Sequence, residues 1–405
     1  MNDRIAESGP PFNNRLLNVH FMENDMPGLL PDVDPDGLLE YSVVYTDRAV
    51  NHMSRRFQGA MQDISRILKQ VYKAESAIVV PGSGTFGMEA VARQFATGQH
   101  CLVIRNGWFS FRWSQIFEMG AIPSSTTVLT AAPVSSRPQA AFAPPPIADV
   151  VAAIHEQKPG VVFAAHVETA SGIMLPPDYL RAMADAIHAE GGLFVLDSIA
   201  SGAIWVDMQA VGVDILISAP QKGWSAPACG ALVMLSARAR KKIDETTSTS
   251  FACDLRKWLQ IMEAYEQGGH AYHATLPTDA LIKLRDAMLE AEARGFEPLR
   301  MAQQELGDRV RALLREEGYA SVAAPGFEAP GVVVCYTDDD DMQSARKFAQ
   351  AGIQAAAGVP LQCGEPAGFK TFRLGLFGLD KWADIDRTVT SLRRALEHIR
   401  SAAAV

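Results

Sequence analysis

In the stretch DILISAPQKGWSAPACGALVML a lysine, Lys222, stands between two apolar runs, Ile215 to Ile217 and Ala231 to Leu235, that read as buried strands. A hydrated, flexible cation has little packing use there. Its amine is therefore a candidate for chemistry, because a lysine pKa falls readily on burial and leaves the nitrogen nucleophilic. Upstream, FVLDSIAS ends a strongly apolar run on Asp197, whose carboxylate needs a cationic or N–H partner if buried. Earlier still, PGSGTFGMEA sets Ser83, Gly84 and Thr85 between a strand and a helix. Free backbone N–H groups and the helix dipole favour a phosphate at such a place. Far downstream, Arg373 in FRLGLFG lies among strand-like apolar residues, where a bidentate carboxylate is its natural partner.

Each feature has a plainer reading. Lys222 could snorkel to the surface, Asp197 could cap a turn, the glycine loop could be empty, and Arg373 could serve an internal ion pair. Gly82, Gly84 and Gly87 also match GxGxxG, but a nicotinamide enzyme wants an acid at the end of the next strand, and CLVIRNG ends in Arg105 and Asn106. An NADP oxidoreductase survives only through Arg105 and leaves Lys222 and Asp197 unexplained. His166 and Glu168 form HxE without the PCxxC of a zinc deaminase, so no metal is expected, and Glu168 and Thr169 remain as polar groups at a strand end. In the loop RNGWFSFRW, Trp108 and Phe109 either anchor the chain or offer a flat face to a flat ligand.

The elements that must position these residues are legible from about residue 60 onward. MQDISRILKQVY, GMEAVARQFA, WSQIFEMG, IADVVAAIHEQ and PDYLRAMADAIHAEG have helical periodicity, whereas SAIVV, CLVIR, GVVFAAH, LFVLDS, DILISA and GALVML read as strands. Such alternation predicts an α/β fold with a mostly parallel sheet and helices on both faces, with sites in the loops after the strands. After Leu276 come two long amphipathic helices and a shorter α/β section with strands at GVVVCY and TFRLGLF. This predicts an N-terminal arm at 1–24, a large domain at 25–290 and a small C-terminal domain at 291–405. Asp338 to Asp341 lack the glycine and distal glutamate of a calcium loop and read as an acidic first turn of the helix MQSARKFAQAG.

Composition narrows the function class. The chain has 405 residues, 48% hydrophobic and 20% charged, a formal net charge of -9 and no basic block, which argues against a nucleic-acid partner and for small molecules. Its five cysteines, Cys101, Cys229, Cys253, Cys335 and Cys363, are odd in number and contain no CxxC, so neither a disulfide framework nor a zinc cluster is expected. No long apolar run and no apolar leader core appear, and a cytoplasmic protein is expected.

A phosphate cradle, an aromatic face, a carboxylate and a lysine at one sheet edge suit pyridoxal 5'-phosphate. That cofactor needs an amine for its aldehyde, a carboxylate for its protonated ring nitrogen and an anion site for its phosphate. From about Asn51 to Gly378 the sequence resembles the class V aminotransferases of fold type I, in the alanine/serine-glyoxylate (serine-pyruvate) group; the Asp197 to Gln221-Lys222 segment carries the likeness most specifically. The resemblance implies a seven-stranded, mostly parallel sheet and transfer of an amino group from an alanine- or serine-like donor to glyoxylate or pyruvate, with ping-pong kinetics. It makes Lys222 the cofactor-bearing lysine and Asp197 the partner of the ring nitrogen. Ser83, Gly84 and Thr85 match the GSGH-type phosphate loop, with Thr85 in place of histidine. It also implies Phe109 rather than Trp108 as the stacking aromatic, Thr169 at the ring hydroxyl, Ile199 and Gln221 lining the site, and Arg373 in the counterpart of WRIGLLG as the substrate-carboxylate clamp. YHATLPT is similar to a segment that crosses a homodimer interface, so Tyr272 and Thr275 would reach the neighbouring subunit's phosphate. A cysteine desulfurase-like lyase of the same fold would carry histidine where Gln221 and Phe109 stand. The segment NVHFMENDMPGLLPDVDPDG departs from the family's GPGP-like start, which leaves the choice of substrate open.

Overall fold

The computed structural model describes residues 33–403, so the arm expected at 1–24 lies outside the described residues. Ser54 opens the first long helix, α1 (Arg55–Tyr72), by accepting the Phe57 N–H on its hydroxyl. Seven strands then build one sheet: β1 (Ser76–Pro81), β2 (His100–Arg105), β3 (Ser125–Thr130), β4 (Val161–Ala165), β5 (Leu193–Asp197), β6 (Ile215–Ser218) and β7 (Gly230–Leu235). Their spatial order is β1-β7-β6-β5-β4-β2-β3. β3, β2, β4, β5 and β6 run parallel, and β7 is antiparallel to both β6 and β1. The reversal has a simple cause. The connection 219–229 is too short for the helical crossover a parallel return needs, so β7 must turn back beside β6, and that tight return carries Lys222.

Helices α2 (Gly84–Val91), α3 (Trp108–Gly120), α4 (Ile147–Gln157) and α5 (Pro177–Ala189) provide the crossovers, while α6 (Leu255–Glu266) and α7 (Thr278–Arg294) pack with α1. β4 to β7 are buried along their whole length, as strands covered on both faces must be. Close approach of α2 to this sheet requires a glycine: a Cβ at Gly87 would stand 2.4 Å from the Ala231 Cβ. Seating of α3 depends on Trp113, fully buried with its ring 4.6 Å from that of Phe163 on β4.

Residue 290 lies inside α7, and the chain breaks at Gly295, whose φ of 88° ends that helix and begins α8 (Phe296–Glu316). A second sheet follows, of β8 (Val332–Tyr336), β9 (Ala356–Ala357) and β10 (Thr371–Gly375) in the order β8-β10-β9, all antiparallel. α8 and α9 (Ile385–Ala403) pack on each other beside it. The acidic run is not one helix start. Asp339 caps a short helix, Asp340–Gln343, and Ala345 in the left-handed region interrupts it before Arg346–Gln350.

Trp113→Ala should cost about 3–5 kcal/mol of stability in denaturant unfolding. Trp113→Phe should cost less, because the indole N–H is buried without a partner.

Candidate active site

Every parallel strand delivers its following loop to the same edge, and β1, lying across β7 from β6, delivers its own there too. Asp197 is the last residue of β5 and only 7% exposed. Its Oδ1 accepts the Ile199 N–H at 3.0 Å. Burial pushes this carboxyl up to about 6; the Ile199 amide opposes the rise, the charge of Glu168 adds to it, and Lys222 and Arg112 oppose it. Lys222, half-buried after β6, is pushed below the usual lysine value, first by burial, with Asp197 opposing and Arg373 reinforcing. Neither residue has an ion-pair partner among the described residues. Behind them the His166 N–H donates to the Asp197 carbonyl at 2.8 Å, and its ring Nδ1 meets Ser201 Oγ at 2.7 Å. Burial drives that imidazole down to about 4, so it is neutral.

At the start of α2, Ser83 takes the N-cap position but its hydroxyl makes no capping bond. The first-turn amides of Gly84 and Thr85 have no intrahelical acceptor. A Cβ at Gly84 would come within 2.5 Å of Ile199 Cδ1, so the glycine lets this turn approach the loop after β5 without displacing the Ile199 side chain. Arg112 Nη1 donates to Thr85 Oγ1 at 3.0 Å, and its guanidinium lies 5.2 Å from the Phe109 ring centre. A cation is thus held at the rim of an anion-type cradle. By contrast Arg105 is committed elsewhere, donating to Ser114 Oγ and the Gln362 carbonyl, and does not stand ready for a nucleotide phosphate.

Trp108 and Phe109 are not in a loop but form the first turn of α3. Capping comes from a distance. Glu168, fully buried after β4, accepts the Phe109 and Ser110 N–H groups at 3.2 and 2.8 Å and the Ser110 hydroxyl at 2.7 Å. It also accepts the Ala170 N–H at 2.9 Å. A side chain at Gly107 would collide with Glu168, 2.7 Å from its Cγ. The carboxylate thereby fixes the backbone that carries the Phe109 ring. Both carboxylate oxygens of Glu168 are thus taken up by amides and a hydroxyl. Next to it the Thr169 hydroxyl is buried without a partner.

Arg373 sits on β10, the middle strand of the small sheet. Its Nε donates to the Ala357 carbonyl at 2.7 Å, its Nη1 to the Thr169 carbonyl at 3.5 Å, and its guanidinium lies 5.5 Å from the Phe109 ring centre. No carboxylate pairs with it among the described residues. Lys222, Asp197, Ile199, Gly84, Thr85, Phe109, Thr169 and Arg373 therefore form one connected set. Gln221, beside Lys222, is exposed. Tyr272 and Thr275 stand apart, exposed and joined to each other by a 3.1 Å hydroxyl contact. Sequence reasoning missed Arg112 and the capping role of Glu168; the only signal was their residue types close to predicted strand ends.

The residues fit pyridoxal 5'-phosphate. An orphaned buried hydroxyl at Thr169, an unused N-cap hydroxyl at Ser83, a glycine cradle and a buried carboxylate without a cation are the donors and acceptors that this flat phosphorylated ring would satisfy.

Residues 37–374 match the family model of class V aminotransferases. The alanine–glyoxylate aminotransferase of Rattus norvegicus is 26% identical over 365 residues, 87% of this chain and 83% of its own length. A 2-aminoethylphosphonate–pyruvate transaminase of Polaromonas sp. is 29% identical over 344 residues, covering 82% and 85%. Among solved structures, an alanine–glyoxylate aminotransferase from Nostoc sp. superposes with a TM-score of 0.71 at 22% identity, over 86% of this chain and 89% of that one. With a lysine, a buried carboxylate and a phosphate-type cradle at one sheet edge, and a family match across most of its length, the chain belongs to the class V aminotransferases.

Proposed function

We propose that this enzyme moves an amino group from a small alanine- or serine-like amino acid to a small 2-oxo acid such as glyoxylate or pyruvate, in two half-reactions on pyridoxal 5'-phosphate. The observation that carries the proposal is Lys222: half-buried, with its amine held below the usual value, and near a buried Asp197 that no cation pairs. The relatives' names pair a small amine with glyoxylate or pyruvate, and we carry that pairing over.

When bound, the cofactor supplies an electron-accepting ring that makes the donor's α-proton acidic. Ser83, Gly84 and Thr85 hold its phosphate with Arg112 as counter-charge. Phe109 and Ile199 would confine the ring, the Thr169 hydroxyl would serve its ring oxygen, and Gln221 would border the site. Asp197 keeps a proton on the ring nitrogen. Arg373 grips the donor carboxylate bidentately. Lys222 would hold the cofactor at rest and, once freed, would serve as the base for the α-proton; the downward shift of its pKa by burial favours the neutral amine such a base needs.

Tyr272 and Thr275 are exposed in the single chain, and we assign them to the phosphate of a partner subunit in a homodimer. We place the large domain at 25–290 and the small one at 291–405, with the long helices on either side of Gly295 joining the two. Five free cysteines support a cytoplasmic location, and no described helix is long and apolar enough to cross a membrane.

An absorbance band near the visible edge, present in the purified protein and absent in Lys222→Ala, is the expected signature. A wild-type protein that stays colourless with added cofactor would sink the reading. Asp197 gives a pH test. Its raised pKa means that the folded apoprotein holds this proton more tightly than the unfolded chain, a contribution lost as pH rises through about 6. The cofactor's protonated ring needs the carboxylate, so binding must expel that proton below this pH. Cofactor affinity should fall by up to about tenfold per pH unit below 6, and titrations of Asp197→Asn should lose that component of the slope.

A further inference from the structure

Phe377 follows Arg373 out of β10, and its ring centre lies 5.4 Å from Lys222 Nζ. Glycines from three segments wall the ring: a Cβ at Gly202, Gly331 or Gly375 would come within 3.3, 3.1 and 3.5 Å of it. The backbone on either side is pinned. Gln303 Nε2 donates to the Leu376 carbonyl at 3.3 Å and Lys381 Nζ to the Phe377 carbonyl at 2.9 Å, while the Leu376 N–H reaches the Gly331 carbonyl at 2.9 Å. The Leu379 N–H donates to Ser225 Oγ at 2.7 Å, tying this segment to the loop of Lys222. A ring so held has little room to retreat from the lysine.

A base must come within about 3–3.5 Å of the atom whose proton it takes. With the donor's carboxylate on Arg373 and its α-carbon at Lys222, the donor lies against the segment that runs from Arg373 to Phe377, and the Phe377 ring is the bulky apolar group of that segment beside the base. We propose that Phe377 is a specificity-determining residue, its ring forming the wall that confines the donor to short side chains. The proposal rests on the transaminase reading above and adds the residue that sets donor size.

The test compares the wild-type holoenzyme with Phe377→Leu and Phe377→Ala, using alanine and the longer straight-chain norvaline as donors. The norvaline-to-alanine ratio of kcat/KM should rise at least about tenfold in both variants. Calorimetric titration with propionate and valerate, which lack the amine and cannot react, should show the same shift in preference toward the longer chain. An unchanged ratio and an unchanged carboxylate preference in Phe377→Leu, which keeps apolar bulk and so guards against a folding loss in Phe377→Ala, would overturn the wall while the transaminase reading stands. A wild type that converts neither amino acid nor any other small donor would overturn both.

Discussion

A carboxylate taken out of water without a cation is costly to a fold, and Asp197 is such a group: it ends a fully buried strand, with the Ile199 amide as its side chain's hydrogen-bond donor. Neighbouring strands flank it on both sides, Ala165 of β4 and Ile217 of β6 standing opposite it in the sheet, and it is only 7% exposed. The rise of its pKa to about 6 is the physical expression of that cost. Lys222 and Arg373 repeat the pattern with opposite sign, both held below their usual values by burial. The sheet edge is therefore a set of charges desolvated separately rather than paired with one another. Such an arrangement is stable enough to fold because the surrounding core is large, and it is completed electrostatically only by a ligand carrying the matching charges.

What brings these charges to one edge is backbone packing more than side-chain affinity. The short return 219–229 forces β7 antiparallel and lifts Lys222 to the end of β6. A Cβ at Gly223 would lie 2.3 Å from the Gly202 carbonyl, so the lysine loop is pressed on the loop that follows Asp197. Gly84 and Gly87 allow the same closeness for α2. Substituting Gly223 or Gly87 would move a whole loop or helix, because the obstructing atoms are the Gly202 backbone and the Cβ of the buried Ala231, which cannot swing away.

Six strands of the large sheet were legible because each is a short, mostly apolar run between turn residues, and the loops after them were legible as candidate sites for the same reason; β3, the edge strand STTVLT, was missed because its residues are mostly polar and only partly covered. Lys222, Asp197 and Arg373 stood out as charged residues in apolar surroundings, a local signal. Glu168 did not, because its work is done 58 to 59 residues away in sequence, on the amides of Phe109 and Ser110. That distance also explains why Trp108 and Phe109 read as a loop: α3 begins after a glycine, without the Ser, Thr, Asp or Asn that marks a helix start locally. The cap is tertiary, and periodicity within one segment cannot reveal it. Arg112 was hidden similarly, its partner Thr85 lying on another helix.

This remote capping links the first turn of α3 to the strand that carries Arg373. Glu168 grips the turn that carries Phe109, and the adjoining Thr169 carbonyl accepts from Arg373, whose guanidinium also lies over the Phe109 ring. A small-sheet strand is thereby held against the helix that carries the Phe109 ring, through one dipeptide after β4. Four residues beyond Arg373, Phe377 meets Lys222 from the same chain segment. On the proposed roles, the large sheet contributes the lysine, the carboxylate and the cradle, whereas the small sheet contributes the clamp and the wall. A shift of β10 relative to β4 would then alter the grip on a donor and the space around the base together, and donor choice and proton transfer would share one mechanical support.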